Sequence, residues 1–118
     1  ADMHLKNWSL VENPKAKGSY KLSPCYDLLN TRLPIPTERI DIGLTLNGKS
    51  RNLRWTYFRD LGKKLKIPKK MIEKPFEELD MWLETTEDFV TASLLSDNSK
   101  EKYLEIVKSR FKILKGEI

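Results

Sequence analysis

The chain has 118 residues, 39% of them hydrophobic and 33% charged, with a formal net charge of +5. That length holds one domain or part of one, with a modest core, and no apolar run is long enough to span a bilayer. The start is polar and charged, unlike a signal peptide. A single cysteine, Cys25, excludes an internal disulfide, fits a reducing, cytoplasmic compartment, and is expected as a small core residue.

The first half of the chain, to about Arg54, reads as strands and loops. "WSLV" (8–11) and "SYKLS" (19–23) flank "ENPKAKG", which carries Pro14 and Gly18, and this is a hairpin signal with a long turn. Pro34 and Pro36 forbid regular helix after "YDLL" and favour an extended segment. "IDIGLTLNGKS" alternates in part and ends in Asn47-Gly48, a tight-turn dipeptide.

The second half reads as helices. "LRWTYFRDLGKKLKI" puts Trp55, Phe58, Leu61/Gly62 and Leu65 on one face. Pro68 suits a first helical position, and Met71, Ile72, Leu79, Trp82 and Leu83 continue an apolar stripe that Pro75 is expected to break or kink. "TTEDF" offers a threonine cap followed by acids. The last helix is the clearest, with Asn98 as cap, Glu101 three residues on, a seam of Leu104, Val107, Phe111 and Leu114, and Gly116 as stop. The aromatics and Met71 are expected in the core.

Charge is unevenly spread. Residues 49–74 carry ten Lys/Arg against two acids, and residues 75–97 carry seven acids and no base. The basic block suits an anion such as phosphate or nucleic acid. The simpler expectation is two neighbouring helices whose charges partly neutralise each other.

Chemistry concentrates at the start, in "ADMHLKN". Phosphoryl transfer needs a carboxylate to orient the attacking hydroxyl and accept its proton, hard oxygen ligands for magnesium, and a cation against phosphate charge. Protein kinases take the first from an Asp and a metal ligand from an Asn five residues later, then run a hairpin to a second, metal-gripping Asp. Asp2 and Asn7 have that separation, and the expected hairpin returns the chain to Tyr26-Asp27. The structural alternative makes Asp2 and Asn7 turn or capping residues and Asp27 a helix cap.

"ADMHLKNWSLV", "YKLSPCYDLLNT" and "IGLTLNGK", in that order, resemble the C-terminal lobe of HipA-like serine/threonine kinases, whose blocks read G-N-x-D-x-H-x-K-N-x-S, L-(A/S)-P-x-Y-D and L-x-(L/I)-N/G-G-K. The resemblance covers about the first 50 residues. It implies that Asp2 is the catalytic aspartate, that Asn7 and Asp27 hold Mg2+ against ATP, and that Lys6 meets the transferring phosphate. His4 matches the motif histidine, with a catalytic role or a packing role in the loop. The fold implied is α+β, a protein-kinase-like C-terminal lobe in which a short β-hairpin and extended segments (1–54) precede a helical bundle (55–118).

The family's members are toxins of bacterial toxin–antitoxin pairs. They bind a small DNA-binding, HipB-like antitoxin, so that nucleic acid is met only through it, and they phosphorylate aminoacyl-tRNA synthetases. The chain shows no Gly-rich phosphate loop, ATP-binding lysine strand or glutamate-bearing helix. It is therefore expected to be the C-terminal part of a longer kinase, inactive by itself. The rival expectation is a non-enzymatic nucleic-acid or protein binding module built on the 49–74 basic block with Trp55, Tyr57 and Phe58.

Overall fold

Leu10–Glu12 (β1) and Tyr20–Leu22 (β2) pair antiparallel in the computed structural model, which describes residues 4–117, with Leu10 opposite Leu22 and Glu12 opposite Tyr20. The strands are shorter than the apolar runs that flag them. Around the turn, Asn13 N–H donates to Ser19 O at 2.8 Å and Gly18 N–H to the Glu12 carboxylate at 2.8 Å. Gly18 has φ +79°, a conformation that glycine adopts without steric cost. The chain then runs without strand or helix to Arg54. The alternation in "IDIGLTLNGKS" yields one isolated bridge, Leu46 with Lys49. Asn47 (φ 52°) and Gly48 (φ 75°) make the expected tight turn there.

Four helices follow: α1 (Trp55–Lys64), α2 (Lys69–Glu77), α3 (Leu79–Ala92) and α4 (Asp97–Lys115). The architecture is α+β, with a small two-stranded sheet ahead of packed helices. Pro68 sits one residue earlier than expected, as the cap of α2. Pro75 is accommodated inside α2, and the break falls at Glu78, whose carbonyl already accepts from Trp82 N–H at 3.1 Å.

Two capping expectations need correction. Thr85 and Thr86 cap nothing. They lie inside α3, where their hydroxyls donate to Met81 O and Trp82 O one turn back. The cap of α4 is Ser96 rather than Asn98. Its Oγ accepts from Ser99 N–H at 3.4 Å and donates to Ser99 Oγ at 2.9 Å, so the helix starts two residues earlier. The stop at Gly116 is as expected. It has φ 77°, its N–H reaches Ile113 O, and Glu117 N–H reaches Lys112 O, a Schellman closure.

The core is thin. Among the described hydrophobic residues, only Leu46, Leu53 and Val90 are buried. The α4 seam of Leu104, Val107, Phe111 and Leu114 is half-buried, as are Trp55, Phe58 and Phe76, whose rings meet edge-on or tilted at 6.5 Å. Met71, Trp82 and Phe89, expected inside, are exposed, because no element among the described residues covers their faces. Cys25 is also exposed, since residues 23–29 run as an irregular segment over the surface. The chain exposes 9257 Å², where a compact monomer of its mass exposes roughly 6,600 Å².

The charge blocks are paired differently from the expectation. Among the described residues one ion pair, Lys74 with Glu78 at 3.7 Å, joins the basic block to the acidic one. The acids of α3 look to α4 instead, through Glu87–Lys108 at 2.7 Å and Asp80–Lys115 at 2.6 Å. The hydrogen bond to Asp80 raises the Lys115 ammonium pKa above its usual value.

Asp41 ties the loop half to the helix half. Its Oδ1 accepts from Arg32 at 2.8 Å and from Arg110 of α4 at 2.6 Å, and its Oδ2 accepts from Leu53 N–H at 3.2 Å. Both guanidiniums keep some water contact, so Asp41→Ala is expected to cost about 1–3 kcal/mol in urea unfolding. Gly116→Ala is expected to cost about 1–2 kcal/mol for the left-handed backbone alone. Its added methyl also stands 2.6 Å from Trp55 Nε1, so the same unfolding midpoint should fall further.

Candidate active site

A single turn of 3-10 helix, Leu5–Asn7, follows His4, whose backbone is extended. The turn closes through Asn7 N–H to His4 O at 3.1 Å. It drives the Asn7 side chain inward, where it is 2% exposed and the most buried polar residue described. A carboxamide held that far from water must find partners on both ends. Its Oδ1 accepts from His4 N–H at 3.0 Å. Its Nδ2 donates to Asp27 Oδ2 at 3.3 Å and to Asp27 O at 3.4 Å.

The hairpin makes this meeting possible. Its base extends beyond the strands, with Ser23 N–H donating to Ser9 O at 2.8 Å. The chain thus returns beside its own start after about twenty residues, and Tyr26 OH donates to Lys6 O at 3.1 Å. Asp27 has φ 55°, a left-handed conformation that Asp tolerates better than most residues. The loop 4–7 and the segment 26–27 are therefore clamped twice, once through Asn7 and once through Tyr26.

Of the residues singled out from the sequence, Asn7 and Asp27 are in contact. Lys6 stands exposed on the same turn, and His4 is half-buried at its start. Asp2 lies outside the described residues. No cluster of three or more His, Cys, Asp or Glu gathers among the described residues. Among the described residues here, the side-chain oxygen donors that could meet a metal are the Asp27 carboxylate and the second lone pair of Asn7 Oδ1. Both are hard ligands suited to Mg2+, which needs one or two protein ligands when phosphates and water supply the rest.

A cleft of about 360 Å³ opens beside Asp27 and runs along Asn30 and Thr31 to Tyr103 and Arg110 of α4. Arg32 and Arg110 also line a second, strongly basic cleft. Sequence reasoning missed the Arg32–Asp41–Arg110 cluster. Its members lie 9 and 69 residues apart, and no local periodicity links them. The only available signal is a run of arginines through a loop poor in acids.

The profile of the HipA-like C-terminal domain matches residues 1–107, so the chain belongs to that family. No curated protein shows a significant match to the chain. No helix among the described residues is long and apolar enough to cross a membrane.

Asn7→Ala leaves His4 N–H and both Asp27 acceptors without their partner. It is expected to lower stability by about 1–3 kcal/mol. Amide exchange at His4 should accelerate, while exchange in α4 follows only the global loss of stability.

Proposed function

We propose that the chain is the catalytic lobe of a HipA-like serine/threonine protein kinase, which transfers the γ-phosphate of ATP to a protein hydroxyl. The observation that carries the reading is the Asn7–Asp27 contact, held by a hairpin that separates the two residues by twenty positions. Family membership over residues 1–107 supports it.

In this reading Asn7 and Asp27 hold Mg2+, which supplies charge neutralisation at the phosphates. Asp2 orients the substrate hydroxyl and accepts its proton. Lys6, exposed beside them, offsets charge on the transferring group. The burial of Asn7 fixes its carboxamide before any ligand arrives, which lowers the cost of ordering the site. His4 contributes its backbone N–H to that positioning. The apolar residues left exposed on the hairpin beside the site, Leu10, Tyr20 and Leu22, fit a nucleotide-binding lobe seated against them. As a protein of this family it acts in the cytoplasm as the toxin of a toxin–antitoxin pair, restrained by a DNA-binding antitoxin of the HipB type and directed at an aminoacyl-tRNA synthetase.

The binding-module alternative gains no observation. Arg59 covers the Trp55 ring at 4.4 Å, Phe58 packs on Phe76, and Tyr57 OH accepts from Lys49 at 2.9 Å, so the aromatics do not form an open stacking platform.

The test uses the natural protein at whichever length its cell makes it. Asp2→Ala and Asp27→Ala are each expected to abolish ATP-dependent phosphorylation of protein while leaving far-UV circular dichroism unchanged. Phosphate transfer retained in both variants refutes the reading.

A further inference from the structure

The second cleft shares Arg32 and Arg110 with the one beside Asp27 and has a volume of about 470 Å³. It is lined by Arg32, Arg39, Arg51 and Arg110 together with Asn52, Ser109 and Ile113. Four arginines line it, three from a loop segment and one from α4. One carboxylate, Asp41, answers them, and a single oxygen of it takes both Arg32 and Arg110. Arg39 and Arg51 are exposed, and neither forms an ion pair among the described residues. Four positive groups less one carboxylate leave a cleft that is three charges out of balance. Like charges lining one cleft repel, so the arrangement calls for an anion of more than one charge.

We propose that this cleft is a binding site for a phosphomonoester dianion carried on a serine or threonine of a protein segment. Arginine forks match phosphate oxygens two at a time, which ammonium groups cannot do, and the lining contains no lysine. The Asn52 amide and the Ser109 hydroxyl add neutral donors to the remaining oxygens. A nucleic-acid backbone is a worse match. It presents single charges in a row and is met by a basic track, whereas these charges converge on one cleft. An unmodified carboxylate brings one charge and leaves the imbalance standing. Burial lowers the Arg110 guanidinium pKa, Asp41 raises it, and Arg32 lowers it in turn; a bound dianion would act with Asp41. The proposal stands on charge and shape and does not depend on catalysis at Asp2 and Asp27.

The test is calorimetric titration of the whole chain with a phosphoserine peptide whose other residues are uncharged. The expected result is binding of the phosphorylated peptide and none of its unphosphorylated twin. The double variant Arg39→Gln/Arg51→Gln should weaken binding at least tenfold. Both side chains are exposed, so the fold should persist, as checked by circular dichroism. The control Lys63→Gln/Lys64→Gln, on α1 and outside the cleft, should bind as the parent does. Equal affinity for the two peptides, no binding of either, or binding unaffected by Arg39→Gln/Arg51→Gln overturns the proposal. Inorganic phosphate binding as tightly as the phosphopeptide assigns the cleft to the free anion and overturns the protein-segment part. Tighter binding of a single-stranded oligonucleotide through Arg39 and Arg51, with a steep salt dependence, reassigns it to nucleic acid.

Discussion

One carboxylate, Asp41, gathers two parts of the loop half onto α4. Asp41 accepts from Arg32 in the loop half, from Leu53 N–H at the entry to the helices, and from Arg110 near the end of the chain. In a protein with a large core such a node would be one bond set among many. Here only three of the described hydrophobic residues are buried, and the hydrophobic term that usually dominates folding is correspondingly small. Directional contacts must then decide where the loop segment 28–54 lies. That segment forms one wall of each cleft, so the shape of both depends on the same carboxylate.

Asn7 plays the equivalent part at the other end. A short polar side chain buried to 2% exposure is costly unless satisfied, and the chain satisfies it with the backbone and carboxylate of Asp27. The turn, the hairpin and the left-handed backbone of Asp27 are solutions to that one requirement. The position of Asp27 is thereby fixed from the far side of a hairpin whose own faces are largely open to solvent. Rigidity at the candidate metal ligands comes from hydrogen bonds, with little contribution from packing.

The sequence exposes local rules and hides distant ones. The hairpin, the Asn47-Gly48 turn, the helical character of the second half and the Gly116 stop all rest on neighbours within a few residues, and all are present. The pairing of Asn7 with Asp27 was legible because a hairpin is itself a local signal that implies a return. The caps misled because several hydroxyl residues compete for one helix end, and Ser96, not Asn98, is the one whose Oγ receives Ser99 N–H. The apolar stripe predicted burial for Met71 and Trp82, but periodicity says which face is apolar and not whether anything lies on it. The arginine cleft was invisible for the related reason that its walls meet only after α4 folds back on the loops.

The exposure of Cys25 has a practical side. It is the only thiol in the chain, it is accessible, and it stands two residues before Asp27 in a segment anchored by Tyr26 and Asn7. Any thiol-directed reagent therefore attaches at one known point on the rim of the candidate site. A nitroxide placed there turns that rim into a distance ruler, and a small electrophile carrying a recognition group turns it into an anchor for assembling ligands in place.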